Sequence, residues 1–151
     1  MDTKALASGR SKERNTVPGS TSLELKKGQV VQEFGWDEDV DEALRARFEE
    51  ETGEELADEE SLDMFDGALV WWRAEDGDME DLADLLVDAR SNLDHGSGII
   101  WVMVPAHGSD GFVDHVIVDE AAQTAGLSAT NAAALSQTWT GVRLSARGPR
   151  L

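Results

Sequence analysis

Two nearly continuous apolar runs bracket one amphipathic helix, and this arrangement narrows the fold more than any other feature of the chain. The first run is Gly67-Ala-Leu-Val-Trp-Trp72, and the second is Ile99-Ile-Trp-Val-Met-Val104, closed by Pro105. Between them Met79, Leu82, Leu86, Ala89 and Leu93 recur at intervals of three or four, the stripe of a helix with one buried face. Strands that read as unbroken apolar runs are covered on both faces, the habit of parallel strands joined by crossover helices. Asp66 to Pro105 therefore reads as a βαβ unit. A single α/β domain with a mostly parallel sheet of about five strands follows from it.

The flanking chain extends this pattern. Residues 1–24 are rich in Ser, Thr, Lys and Arg with no hydrophobic period, and read as a disordered tail; residues 25–148 form the domain. Gln29 to Phe34 is the first expected strand, with Gly35-Trp36 turning into a helix from Asp37. Asp39 and Glu42 have capping-box spacing, and Val40, Ala43, Leu44 and Phe48 share one helical face that stops at Gly53. Glu54 to Ser61 holds only Leu56 and Ala57 as apolar residues and reads as a short or vestigial element. After the second apolar run comes a Gly-rich loop, then a helix striped by Ile117, Ala121 and Ala125 and stopped by Gly126. Residues 128–137 and 139–147 are expected to form an antiparallel terminal hairpin, with a bulge or tight turn at Thr140-Gly141.

Charge and composition exclude several functions. The formal net charge is −18, and residues 33–94 hold 24 acids against four arginines. A surface this acidic repels nucleic-acid phosphates and anionic membranes, and no basic stripe is present to read a nucleic acid. Solubility is the plainer meaning of the acid excess, and a docking face for a basic protein is the sharper one. No stretch approaches the roughly 18 apolar residues of a membrane span. Without cysteine there is no thiol catalysis, disulfide or Cys-based zinc site. Cytoplasmic residence is the default expectation.

The pieces Val30-Val-Gln-Glu-Phe-Gly-Trp36-Asp-Glu-Asp, Leu69-Val-Trp-Trp-Arg73, Asp84-Leu-Leu-Val-Asp-Ala-Arg90, Trp101-Val-Met-Val-Pro105 and Ala122-Gln-Thr-Ala-Gly-Leu127 occur in that order. As a string they resemble an actinobacterial family, domain of unknown function 3052, over residues 25–147. That resemblance implies an actinobacterial source and brings no reaction with it. In architecture the chain is also similar to the Rossmann-like methyltransferases. The segment at Phe65-Asp66 would then be their fourth strand, Gly98 to Val104 their fifth, and the last two strands their antiparallel edge. Most of the half that binds the cofactor's adenosine would be missing or shrunk into Gly53 to Leu62. The fold expected is a small three-layer Rossmann-like domain.

The turn after the first strand argues against a cofactor. Dinucleotide and methyl-donor sites use several glycines so that backbone can approach the ligand. Here Glu33-Phe34-Gly35-Trp36-Asp37 has one glycine between bulky rings and acids. No cofactor and no metal are expected. His95, His107 and His115 fall in or beside loops without metal-ligand spacing, and Ser97 lacks the setting of a catalytic nucleophile. What remains is a group at the carboxyl ends of the strands, where open α/β sheets place their crevice. Trp36, Asp37, Glu38, Asp39, Trp71, Arg73 and Trp101 are the candidate contact surface. They suit a non-enzymatic binding or regulatory protein that meets a basic protein partner. The other reading of the tryptophans is space-filling between sheet and helices, since Trp71 and Trp72 must point to opposite faces. A small-molecule sensor or enzyme in the same crevice, such as a diverged methyltransferase, is the alternative function. Homodimerisation through an unpaired edge of the last hairpin is a further expectation.

Overall fold

The structure is a computed structural model of the chain, and it describes residues 23–94 and 98–146. Its elements run β1 (Val31–Phe34), α1 (Glu42–Thr52), β2 (Gly67–Trp71), a 3-10 turn (Ala74–Asp76), α2 (Met79–Ser91), β3 (Ile99–Pro105), α3 (His115–Thr124), β4 (Leu127–Ala134) and β5 (Trp139–Ala146). The strands form one five-stranded sheet in the order β1-β2-β3-β5-β4. The first three are parallel, in a register that sets Val31 beside Gly67 and Gly67 beside Ile99. β5 alone runs against its neighbours, inserted between β3 and β4.

Both faces of the sheet are covered, which explains the unbroken apolar runs. Ala68, Val70 and Trp72 join Ile100, Val102 and Val104 under α2 and α3. Leu69 and Trp71 join Trp101, Met103 and Trp139 under α1 and Leu23. All five residues of β2 are buried. The expected three-layer α/β domain is what the chain forms, with the antiparallel hairpin at its end.

Several local expectations are corrected. α1 begins at Glu42 because Asp41, not Asp39, accepts the capping bond from the Leu44 N–H at 3.0 Å. Asp39 is engaged elsewhere. The expected third helix, by contrast, is present as α3 from His115, capped by Asp114, with Phe112 and Val113 in the loop before it. The register of the hairpin shifts between Ala129 and Asn131 rather than at Gly141. Gly141 serves packing instead: a Cβ there would stand 2.7 Å from Leu135 and 3.0 Å from the Trp101 ring.

The segment read as vestigial is indeed reduced to a stub. Ala57 makes a single parallel bridge to Gln32 on the outer side of β1. Its N–H donates to Val31 O, and its carbonyl accepts from the Glu33 N–H, both at 2.8 Å. The amide of Gln32, 1% exposed, fastens the rest of this loop. Its Nε2 donates to the carbonyls of Asp58 and Ser61 at 3.1 Å, and its Oε1 accepts from Asn92 beyond the end of α2 at 2.9 Å.

Candidate functional site

The carboxyl ends of β1 and β2 are where a crevice is expected, and the chain fills much of this space with its own side chains. Gly35 turns out of β1 with φ +78°, and a Cβ on it would lie 2.4 Å from the Trp71 carbonyl oxygen. The single glycine of this turn therefore lets two strand ends close on one another, rather than admitting a ligand to the backbone. Its carbonyl accepts from Arg73 Nη1 at 2.8 Å, and its N–H donates to Glu59 at 3.0 Å.

Arg73 is the plug. It is 6% exposed, and its guanidinium also donates to the Trp71 carbonyl at 3.2 Å and meets both carboxylate oxygens of Asp39. Its charge stands 5.5 Å from the centroid of the Trp139 ring, within cation–π range. Burial works against the charge of Arg73, but hydrogen bonding and attraction from Asp39, joined by Asp76, outweigh it and raise the guanidinium pKa. The same bond holds the Asp39 carboxyl below the usual carboxylate range, against the smaller effect of burial.

A pH dependence follows from the lowered carboxyl. A carboxyl whose folded pKa lies below its unfolded value adds stability that is present above the unfolded pKa, about 3.9 for Asp, and lost as pH falls through the folded pKa. Stability should therefore drop with acid below about pH 4. In urea titrations across that range, Asp39→Asn should lose less stability with acid than wild type. Parallel curves would mean the ion pair carries no linkage.

The structure splits the seven expected surface residues. Trp36 is half exposed at 50%, and Asp37, Glu38 and the side chain of Asp39 face solvent. Trp71, Trp101 and Arg73, at 0%, 1% and 6% exposure, belong to the interior and are withdrawn from any contact surface. Trp101 is not at a strand end either; it pairs with Leu69 and Arg143 in mid-sheet, and its indole N–H donates to the Leu23 carbonyl at 3.0 Å. The rings of Trp71 and Trp139 meet edge to face at 4.8 Å. The space-filling reading holds for these tryptophans.

One buried group escaped the sequence reading. Glu33, 7% exposed on β1, accepts from the Trp71 indole N–H at 2.9 Å and from Arg45 Nε and Nη2 at 2.7 and 2.8 Å. The Glu33 hydrogen bond, supported by Glu42, raises the Arg45 pKa against the cost of burial. This ion pair lies in an open pocket of about 500 Å3, with Trp36, Leu56, Asp58 and Glu59 also on its walls. A carboxylate in a strand otherwise made of Val31, Gln32 and Phe34 was the available signal.

A second pocket, of about 350 Å3, opens at the carboxyl end of β3 between Pro105, Phe112, Val113 and Thr140. His107 and His115 line it, with the His107 ring edge-on to Phe112 at 5.0 Å. His95 and Ser97 lie outside the described residues. Among the described residues no cluster of three or more His, Asp or Glu is placed to hold a metal, and no helix is long and apolar enough to cross a membrane.

Sheet order and layering make this a Rossmann-like α/β domain, and solved structures with the same architecture agree. The O-methyltransferase NcsB1 of neocarzinostatin biosynthesis, solved with S-adenosylmethionine, superposes with a TM-score of 0.55 at 13% identity over 80% of this chain and 49% of that one. The magnesium protoporphyrin IX methyltransferase of Synechocystis PCC 6803 superposes at 0.52 with 8% identity, over 82% of this chain and 72% of that one. The chain thus spans about half the length of the first of these, and at such identities the likeness is one of fold. The chain belongs to the family described as protein of unknown function (DUF3052), whose model matches residues 20–148. Uncharacterised proteins of Mycobacterium tuberculosis and Mycobacterium bovis are each 43% identical to it over 122 residues, 81% of this chain and 74% of theirs.

Proposed function

We propose that this chain is a non-enzymatic binding or regulatory protein that docks a basic surface of a protein partner around Trp36. The observation that carries the proposal is a half-exposed tryptophan on the wall of an open pocket that Asp58 and Glu59 also line. Asp37 and Glu38 continue the exposed acidic surface from Trp36. An indole face beside carboxylates suits a lysine or arginine side chain, because the ring's quadrupole and the charges attract the cation together. The Arg73 plug and the closed Gly35 turn favour this reading over a cofactor at the ends of β1 and β2.

Binding of a fluorescent Lys/Arg-rich peptide, with an acidic peptide as control, tests the proposal. Trp36→Ala should weaken the basic peptide about tenfold or more, the scale of an anchor residue. Reversing Asp37 and Glu38 should remove most of the salt dependence. Equal binding by wild type and variants would overturn the docking face. The apolar pocket at His107 and Phe112 favours a second reading, a small-molecule sensor or diverged methyltransferase. A rise in melting temperature with S-adenosylmethionine or S-adenosylhomocysteine would select it.

A further inference from the structure

The two edges of the sheet are finished differently. Outside β1 the chain supplies its own cover, with the Ala57 bridge and the loop fastened by Gln32 occupying that edge. At the other end β4 has β5 as its sole strand neighbour among the described residues. Its sequence, Leu127-Ser-Ala-Thr-Asn-Ala-Ala-Ala134, contains none of the lysines or prolines that commonly guard an open edge. In a chain of net charge −18, no Asp, Glu, Lys or Arg occurs between Glu120 and Arg143. The most neutral part of the chain therefore contains its open edge.

We propose that β4 is a self-association edge, on which two copies pair antiparallel about a two-fold axis to join their sheets. A strand paired with its own copy in this way matches its backbone donors and acceptors reciprocally, as an isologous interface requires. Charge selects a second copy as the occupant. Two acidic molecules repel where their charged faces approach, and this neutral segment is where they can meet with least opposition. A basic partner would gain no electrostatic attraction from these side chains. The register shift at Ala129 and Asn131 interrupts the edge, so the pairing segment is Asn131–Ala134, which runs regularly against Arg143–Thr140. Three of its four residues are alanine, small enough to let another strand close in.

Sedimentation equilibrium of the full chain, over a concentration series and at low and high NaCl, tests this. A dimer is expected whose dissociation constant tightens with salt, because salt screens the repulsion between like-charged copies. That is the opposite sense to docking of a basic peptide. Ala132 is exposed, so Ala132→Lys and Ala132→Glu should keep the fold, as read by circular dichroism and melting temperature. Each should weaken the dimer at least tenfold, since a charge of either sign has to lose water at the paired edge. Hydrogen exchange at the outward-pointing amides of Asn131–Ala134 should quicken in both variants. A monomer at every concentration and salt overturns the proposal, as does a dimer that survives both substitutions. Slow exchange in a monomer at the amides of this segment that point away from β5 would mean the chain covers its own edge, and overturns it equally.

Discussion

Gly35→Ala is expected to lower the melting temperature by on the order of 10 °C. A side chain at φ +78° costs about 1–3 kcal/mol in backbone strain alone. The new methyl would also meet the Trp71 carbonyl oxygen at 2.4 Å, and backbone of a central strand cannot swing aside as a flexible side chain can. Overpacking of this kind adds about 1–3 kcal/mol, and each kcal/mol moves the midpoint of a domain this size by about 2–4 °C. Gly53→Ala is the matched control. Its φ is nearly the same at +75°, but the nearest atom to a new Cβ is a Lys27 methylene at 3.8 Å. Gly53→Ala should therefore show the strain without the collision. Similar losses in the two variants would show that the close approach of β1 to β2 contributes nothing.

Arg73→Met should be the second most damaging change, at about 3 kcal/mol in chemical denaturation, the scale of one or two acceptors left unpaired. Methionine keeps much of the apolar stem but strands the carbonyls of Gly35 and Trp71 and removes the charge from the Trp139 face. Arg73→Lys should rescue only part of the loss, because a single ammonium cannot reach two carbonyls and both oxygens of Asp39 in the same fork. Asp39→Asn should cost less than Arg73→Met, since its side chain is 53% exposed and water can replace part of what it gives up. The reverse ranking of Arg73→Met and Asp39→Asn would show that the plug is held by its ion pair rather than by the backbone it caps.

These two residues also show where sequence reasoning stops. The βαβ centre was readable because β2 and β3 are apolar on both faces and α2 repeats at helical spacing, patterns set by local geometry. Burial on both faces has a cost for the reader: alternation no longer separates inside from outside, so Trp71 and Trp101 could be taken for surface residues. The start of α1 was ambiguous for a different reason. Asp37, Asp39 and Asp41 are all sound capping residues, and the choice fell to Asp41 while Asp39 reached across the fold to Arg73. No local rule contains a partner 34 positions away. Glu33 and Gln32 were missed likewise, because a polar side chain in a strand shows its purpose only when its distant partners are in place. In the sequence Thr140-Gly141 has the look of a bulge or tight turn, whereas Gly141 answers to the bulk of Trp101 on the neighbouring strand.

The placement of β5 between β3 and β4 has a kinetic side. β4 and β5 are joined by the short turn of residues 135–138, so their pairing closes a small loop and loses little chain entropy. β1 and β2, by contrast, pair Val31 with Gly67 across the whole of α1 and the stub at Ala57. Contacts of longer sequence separation cost more entropy before they repay it, and they slow folding. The hairpin is thus positioned to form early and dock on β3 as a unit, with β1 joining late. Destabilising changes in β1 or in the turn that follows it, Gly35→Ala among them, should then appear mainly as faster unfolding, and changes in the hairpin as slower folding.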